Sequence, residues 1–213
     1  MTTACPPAPD RWAARIAAGL DRPETRWRAA AIAAALLVVA AAKHGYSHAS
    51  AGQLALFLSP TAHLVSLVSG ADFVAEAGAG WVSRELGFII APGCAGVNFA
   101  LAAFLALTLG WLGAMRTGRD VAARLAAAAA LAYAATLVVN TARIAIAIAL
   151  HRGAVDLGGL TPGDVHRIEG VVVYLGGLCA LYRLAGASGP RSGREERERD
   201  DRSERNDRHA RAA

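Results

Sequence analysis

The sequence predicts an all-α integral membrane protein with about four transmembrane helices, a broken or re-entrant helix and a small extracytoplasmic β-hairpin. The first indication is composition, because 54% of the 213 residues are hydrophobic and only 18% are charged, which is more apolar than an ordinary soluble domain. Second, the apolar residues fall in runs that approach the roughly 20 residues needed to cross a bilayer. Third, the arginines behind the net charge of +5 cluster beside these runs. That pattern is typical of membrane topology, so no nucleic-acid partner is expected.

Composition divides the chain into three parts. Residues 1–25 form a polar segment rich in proline and arginine, which we do not expect to be a signal peptide because the first apolar run begins too late. Residues 26–185 form the transmembrane domain. Residues 186–213 alternate arginine with glutamate and aspartate, cannot bury a core and are expected to be disordered.

The first half of the transmembrane domain is irregular. Residues 29–42 form the first predicted span, with basic residues at its start. Residues 53–69 are apolar but contain Pro60 near their middle, which favours a broken, interfacial or re-entrant helix over a straight span. Two short β-prone runs between residues 70 and 93 flank a Gly-Ala-Gly turn, so a β-hairpin on the membrane surface is predicted there.

The second half contains long apolar helices. Residues 97–115 form a span, and Asp120 is expected to cap the next helix. That helix continues for about thirty residues, or about 45 Å, and so tilts, breaks or projects beyond a hydrocarbon core of about 30 Å. Arg143 falls in its outer third.

The last span, residues 169–184, follows a helix-start signal. Thr161 is placed as the N-cap, Pro162 at the first helical position and Asp164 at the third, as in a capping box. His166 therefore falls in the first turns of this helix, at the membrane interface.

The arginines also predict orientation. They flank the start of the first span, the connection at residues 116–124 and the end of the last span, which makes these three places cytoplasmic by the positive-inside rule. If residues 53–69 do not cross fully, Cys94, Arg143 and His166 lie together on the extracytoplasmic face.

Cys94 is the candidate nucleophile because it follows a Pro-Gly turn and precedes a long apolar helix. A thiol at a helix N-terminus faces unsatisfied N–H groups and the positive end of the helix dipole, which favour the thiolate. If the helix begins near Ala95, the Asn98 amide sits about one turn below the sulfur. The simpler alternative is that Cys94 only fills space, as most free cysteines do.

The other two cysteines, Cys5 and Cys179, do not extend this site. No CxxC or His-Cys spacing is present, so neither a disulfide framework nor a zinc site is implied, and no cofactor is expected. Cys179 lies in the apolar last span and is best explained by packing.

Arg143 and His166 are the candidate partners of the thiol. A membrane arginine is costly and is a functional candidate by default, although it can also snorkel or pair with Glu169 or Asp156. A lone interfacial histidine is more often ordinary than catalytic. His166 is favoured by its capped helix start and by Glu169 one turn later, which can bias its tautomer or charge.

Together these groups point to acyl transfer. The Cys94 thiolate attacks a peptide carbonyl, His166 takes and returns the proton, and Arg143 stabilises the oxyanion or the carboxyl side of the substrate. The thioester is then resolved by water or another nucleophile. Whether His166 is the base or a positioning group stays open.

Three motifs stand in order along the chain: Pro92-Gly-Cys94-Ala-Gly-Val-Asn98-Phe99, Asn140-Thr-Ala-Arg143-Ile144 and Asp164-Val-His166-Arg167. With the Ser59-Pro60-Thr61 element and the Gly78-Ala-Gly80-Trp81 turn, they resemble the exosortase/archaeosortase family, most of all the short branch called exosortase K. The resemblance covers about residues 27–184.

The resemblance implies a multi-pass cysteine transpeptidase of the bacterial inner membrane. Its partners would be exported proteins with a C-terminal sorting tail made of a short motif, a transmembrane helix and a basic cluster, together with membrane lipid. The family's catalytic cysteine, arginine and histidine fall on Cys94, Arg143 and His166. Asn98, Asn140 and Glu169 are candidate supporting residues.

Two other classes of protein are weighed against this one. A small transporter or assembly protein would use the arginine and histidine to line a polar path, but transporters place such groups near the midplane, often within internal repeats. A membrane acyltransferase would use His166 without Cys94 and would survive loss of the thiol.

Overall fold

A computed structural model describes residues 23–153 and 161–187 of the chain. Most of the polar N-terminal segment, nearly all of the charged tail, Cys5 and Asp156 lie outside the described residues. The described chain is mainly helical and carries one small sheet. Its elements are α1 (Pro23–Ser47), α2 (Ala55–Ser69), β1 (Val74–Glu76), β2 (Gly80–Ser83), β3 (Phe88–Ile90), a 3-10 turn (Pro92–Cys94), α3 (Val97–Gly110), a 3-10 turn (Leu112–Ala114), α4 (Gly118–Arg152) and α5 (Pro162–Ala187).

Within these residues, four helical segments are long and apolar enough to cross a membrane: Pro23–Ser47, Pro92–Gly110, Gly118–Arg152 and Gly163–Gly186. Large apolar side chains stand on their outer surfaces, and Leu37, Val138 and Val172 are 72%, 67% and 64% exposed. Such a surface suits lipid better than water. The prediction of about four long apolar helices is confirmed, and they are compatible with a multi-pass membrane protein.

Helix α4 is the centre of the bundle and packs against α1, α2, α3 and α5. Its 35 residues span about 52 Å. Its start differs from the sequence prediction in one respect. Thr117, not Asp120, is the N-cap, and Asp120 is the third helical residue of a capping box, because its carboxylate accepts from the Thr117 N–H at 3.0 Å while its own N–H donates to Thr117 Oγ1.

The three arginine-flanked places lie at one end of the bundle. Arg28 near the start of α1 donates to the Gly113 carbonyl at 3.4 Å, in the connection between α3 and α4. A Cβ atom on Gly110, at the end of α3, would lie 3.5 Å from the ring of Tyr182 near the end of α5. At the other end of α1, Lys43 Nζ donates to Asn98 Oδ1 at 2.8 Å. The places predicted to be cytoplasmic are therefore neighbours.

Helix α2 is continuous, although a broken helix was one of the predicted forms. It has 15 residues with Pro60 inside, or about 22 Å, which is shorter than the hydrocarbon core. Proline has no N–H to donate to the carbonyl four residues earlier, which is Leu56. The Tyr133 hydroxyl donates to that carbonyl at 2.8 Å and thereby replaces the missing helical bond.

The contact between Tyr133 and α2 also fixes where α2 begins along the length of α4. Tyr133 precedes Arg143 by ten residues of α4, or about 15 Å along the helix axis, so the start of α2 lies against the middle of the bundle.

The predicted β-hairpin is wrong in its number of strands. The sheet is a three-stranded antiparallel meander in the order β1-β2-β3, and the third strand pairs Ile90 with Trp81. Gly87, with φ of +60°, allows the chain to turn back into this strand. Gly80 is also required, because a Cβ there would collide with the Ile90 carbonyl. The strand β3 then leads directly to the Pro92–Cys94 turn.

The partnership of Tyr133 with Pro60 can be tested by a double-mutant cycle. Tyr133→Phe leaves the Leu56 carbonyl without its donor, and we expect a loss of about 1–3 kcal/mol in unfolding free energy. In a Pro60→Ala background the N–H of residue 60 satisfies that carbonyl, so the same substitution should cost at most about half as much. The measurement is the unfolding midpoint in detergent micelles, with Tyr182→Phe as control. Equal losses in both backgrounds would refute the partnership.

Candidate active site

Cys94 lies at the end of the Pro92–Cys94 turn and is half-buried. Its N–H donates to the Ala91 carbonyl at 2.8 Å. Helix α3 begins at Val97, not near Ala95, because Gly96 takes the left-handed conformation with φ of +73° and acts as the N-cap. The thiol therefore precedes the first helical turn, whose free N–H groups were expected to favour the thiolate.

Asn140 of α4 holds the cysteine turn in place. Its fully buried amide donates from Nδ2 to the Cys94 carbonyl at 2.6 Å, and its Oδ1 accepts from the Tyr174 hydroxyl at 2.8 Å. Gly96 makes this approach possible, since a Cβ there would lie 2.9 Å from the Thr136 methyl and 3.1 Å from Asn140 Cγ. Asn140 thus connects the turn before α3 with α4 and α5.

Arg143 and His166, from α4 and α5, are in direct contact. Arg143 Nη2 lies 2.9 Å from His166 Nε2. A guanidinium group has only donors, so Nε2 accepts and the imidazole proton is on Nδ1. That nitrogen faces Glu169 Oε2 at 3.7 Å. The contact therefore corresponds to a neutral histidine whose tautomer is oriented by an arginine on one side and a carboxylate on the other.

Glu169 and Arg143 form a buried ion pair. Their side chains are 6% and 12% exposed, and Arg143 Nε lies 3.9 Å from Glu169 Oε2. Arg143 Nε and both Glu169 oxygens have no hydrogen-bond partner within residues 23–153 and 161–187. A buried charge without an opposite charge is costly, so each group depends on the other. The pairing considered as an alternative role for Arg143 is present, and it includes His166.

Tyr174 is the functional candidate that sequence analysis missed. Its ring centroid lies 5.3 Å from Arg143 Cζ, a cation–π distance, and 5.3 Å from the Phe99 ring. A signal for it was present, because Gly170 and Tyr174 follow His166 at spacings of four and eight residues. These spacings place the three residues along one side of a helix.

An open cavity of about 410 Å³ lies beside this cluster. Arg143 is its lining residue from α4. The rest of the lining is one stripe of α5: Gly163, His166, Arg167, Gly170, Val171 and Tyr174. Cys94 does not line this cavity. Its carbonyl is held through Asn140 by Tyr174, which does line it.

Of the six predicted site residues, five belong to one connected set and one does not. Cys94 and Asn140 are joined by a hydrogen bond, and Arg143, His166 and Glu169 form a contact cluster. Tyr174 connects the two groups. Asn98 is exposed and its side chain accepts from Lys43 of α1 instead, a contact that no sequence pattern predicts.

The described part of the chain contains no group of three or more His, Cys, Asp or Glu side chains that could hold a metal ion. The chain matches no known family model, no curated protein and no solved structure. The chemistry open to the site is that of a thiol, an imidazole and a guanidinium, the groups that acyl transfer uses.

The buried ion pair gives a testable prediction. Glu169→Gln keeps the shape of the side chain but leaves the Arg143 charge uncompensated, so we expect a loss of about 3–5 kcal/mol in unfolding free energy. Glu76→Gln is the matched control, because Glu76 also pairs with an arginine, Arg84, but at side-chain exposures of 40% and 88%. Its loss should stay within about 1 kcal/mol.

The measurement is thermal or denaturant unfolding in micelles. The double variant Arg143→Met with Glu169→Gln should recover part of the loss, because no unpaired charge stays buried. A Glu169→Gln variant as stable as the wild type would contradict the assignment.

Proposed function

We propose that this protein is a membrane-embedded cysteine protease or transpeptidase of the exosortase type, which cleaves C-terminal sorting tails of exported proteins through a thioester on Cys94. One observation carries the proposal: hydrogen bonds link the Cys94 carbonyl through Asn140 to Tyr174, the Tyr174 ring lies at cation–π distance from Arg143, and Arg143 contacts His166 beside Glu169. Cys94, Arg143 and His166, which come from three separate motifs, thus belong to one connected set.

The reaction begins with transfer of the thiol proton from Cys94 to Nε2 of His166. The thiolate attacks the scissile carbonyl carbon, and the resulting oxyanion is stabilised by the N–H groups of Arg143. His166 then gives the proton to the leaving nitrogen as the C–N bond breaks, which leaves a thioester. Water or another nucleophile attacks the thioester, its proton passes to His166, and the sulfur leaves and regains the proton.

Arg143 must change partner during this cycle. In the structure its Nη2 donates to His166 Nε2, which is the atom that has to accept the thiol proton. The substrate carbonyl is an alternative acceptor for the same N–H group. Substrate binding therefore draws Arg143 from the imidazole to the carbonyl and frees the base at the moment when it is needed.

The proposed substrate is a tail with a short motif, an apolar helix and a basic cluster. Such a tail crosses the membrane beside the bundle, its basic cluster lies with the arginine-flanked ends, and its motif reaches the opposite end of the bundle. In this proposal that end is the extracytoplasmic face of the bacterial inner membrane.

One observation favours a second candidate, a membrane acyltransferase that does not use the thiol. The cavity is lined by Arg143 and His166 but not by Cys94, so an acyl group could react there with His166 as the base. The two candidates differ in their need for the sulfur atom.

Cleavage of a tail separates the candidates. Wild type and variants are expressed beside a panel of exported proteins that carry motif-span-basic tails, and tail size is followed on a blot. We expect Cys94→Ala to abolish cleavage, and His166→Gln and Arg143→Lys to lower it at least about 100-fold at equal protein level. Cys179→Ala is the control and should leave cleavage unchanged. Cleavage that survives Cys94→Ala would exclude the thiol mechanism.

Orientation is tested with a membrane-impermeant maleimide on intact spheroplasts. In a Cys5→Ser, Cys179→Ser background, Cys94 should react from outside the inner membrane. A cysteine introduced at Arg119, in the first turn of α4, should react after permeabilisation alone, because that end is predicted to be cytoplasmic. The reverse pattern would overturn the topology.

A further inference from the structure

We infer that Tyr174 is a positioning residue for the nucleophile: through Asn140 it fixes the Cys94 turn against the helix that carries His166, while its ring supports Arg143. This inference rests on the proposed function, in which Cys94 acts with Arg143 and His166. Tyr174 belongs to none of the three motifs, and the contacts of its hydroxyl and ring assign the role.

The direction of each hydrogen bond follows from the atoms. The Cys94 carbonyl can only accept, so it must face the Nδ2 amide group of Asn140 at 2.6 Å. Oδ1 of Asn140 then faces the Tyr174 hydroxyl at 2.8 Å, and since Oδ1 also only accepts, the hydroxyl must donate. The Tyr174 proton is therefore committed to Asn140, which makes Tyr174 a positioning group and not an acid.

Because the Asn140 side chain is buried, both of its hydrogen bonds are needed. Asn140 is fully buried, so its amide cannot exchange a lost partner for water. Without the Tyr174 hydroxyl, Oδ1 is left unsatisfied and the amide is free to rotate toward another donor. Rotation withdraws Nδ2 from the Cys94 carbonyl and loosens the short turn that carries the thiol.

The ring of Tyr174 acts on the other half of the site. Arg143 lies across Gly170, where a Cβ atom would be 2.9 Å from Arg143 Nε, and its Cζ reaches to 5.3 Å from the ring centroid of Tyr174. One residue of α5 thus holds the arginine with its ring and the cysteine turn with its hydroxyl. The relative position of Cys94 and Arg143 depends on it.

The test measures alkylation of Cys94 by iodoacetamide in a Cys5→Ser, Cys179→Ser background in micelles, which requires no substrate. Tyr174→Phe keeps the ring and removes only the hydroxyl. We expect Cys94 to react about 10-fold faster as the turn loosens, the factor that corresponds to one lost hydrogen bond. Cleavage of a sorting tail should fall by at least about 10-fold.

Tyr133→Phe is the matched control. It also removes a hydroxyl that donates at 2.8 Å to a carbonyl, but this carbonyl belongs to α2. The variant should therefore lower the unfolding midpoint without changing Cys94 alkylation or cleavage. A second signature excludes a merely structural effect: in an Asn140→Ala background, Tyr174→Phe should have no further effect on alkylation, because the hydroxyl acts through Asn140.

Asn140→Ser provides a second route if Tyr174→Phe does not accumulate, since a serine is too short to bridge both partners and should give the same faster alkylation. Unchanged alkylation in these variants, or a full additional effect of Tyr174→Phe in the Asn140→Ala background, would overturn the inference. If alkylation responds as expected but no tail is cleaved by any variant, the proposed function fails while the role of Tyr174 in holding Cys94 stands.

Discussion

This site depends on one constraint: a buried side-chain amide needs a hydrogen-bond partner for its NH2 group and another for its oxygen. Asn140 is fully enclosed, and its two hydrogen bonds join segments that are otherwise remote in sequence: the turn before α3 and the middle of α5. A carboxylate could not make the same pair of contacts, because it only accepts and the Cys94 carbonyl requires a donor. The geometry of the cysteine turn thus follows from the chemistry of one side chain.

A second constraint is electrostatic. Arg143 and Glu169 are mostly withdrawn from solvent, where a single charge would be unfavourable and a pair is tolerable. The exposed imidazole of His166 lines the cavity together with Arg143, whereas Glu169 does not. Glu169 therefore supports Arg143 and His166 from outside the cavity lining, and in the proposed function the imidazole and the guanidinium are the groups that meet the substrate.

Features with a local cause could be predicted from the sequence, and features with a long-range cause could not. The capping box at Thr161 is confirmed, because the Asp164 N–H donates to Thr161 Oγ1 at 3.2 Å and the Thr161 N–H donates to Asp164 Oδ2 at 3.2 Å. Both partners lie within one turn, so the pattern is local. The long apolar helices were also predictable, because an apolar run is a local feature of the sequence. The contacts of Tyr174 and the Lys43 contact with Asn98 depend on residues that meet only after folding. The third strand is local, since it pairs with residues no more than nine positions away, and it was missed because the hairpin prediction considered two runs alone. The predicted start of α3 was too close to Cys94, because the left-handed conformation of Gly96 cannot be predicted from an apolar run.

The bond from Tyr133 to the Leu56 carbonyl has an evolutionary consequence. A proline in an apolar helix leaves a carbonyl that some other group must satisfy, and here that group stands 77 residues away. Pro60 and Tyr133 are therefore expected to be gained and lost together as related sequences diverge. Co-variation between these two positions would show that the unsatisfied carbonyl and its donor are linked, and it would do so even in relatives whose Cys94, Arg143 or His166 has changed.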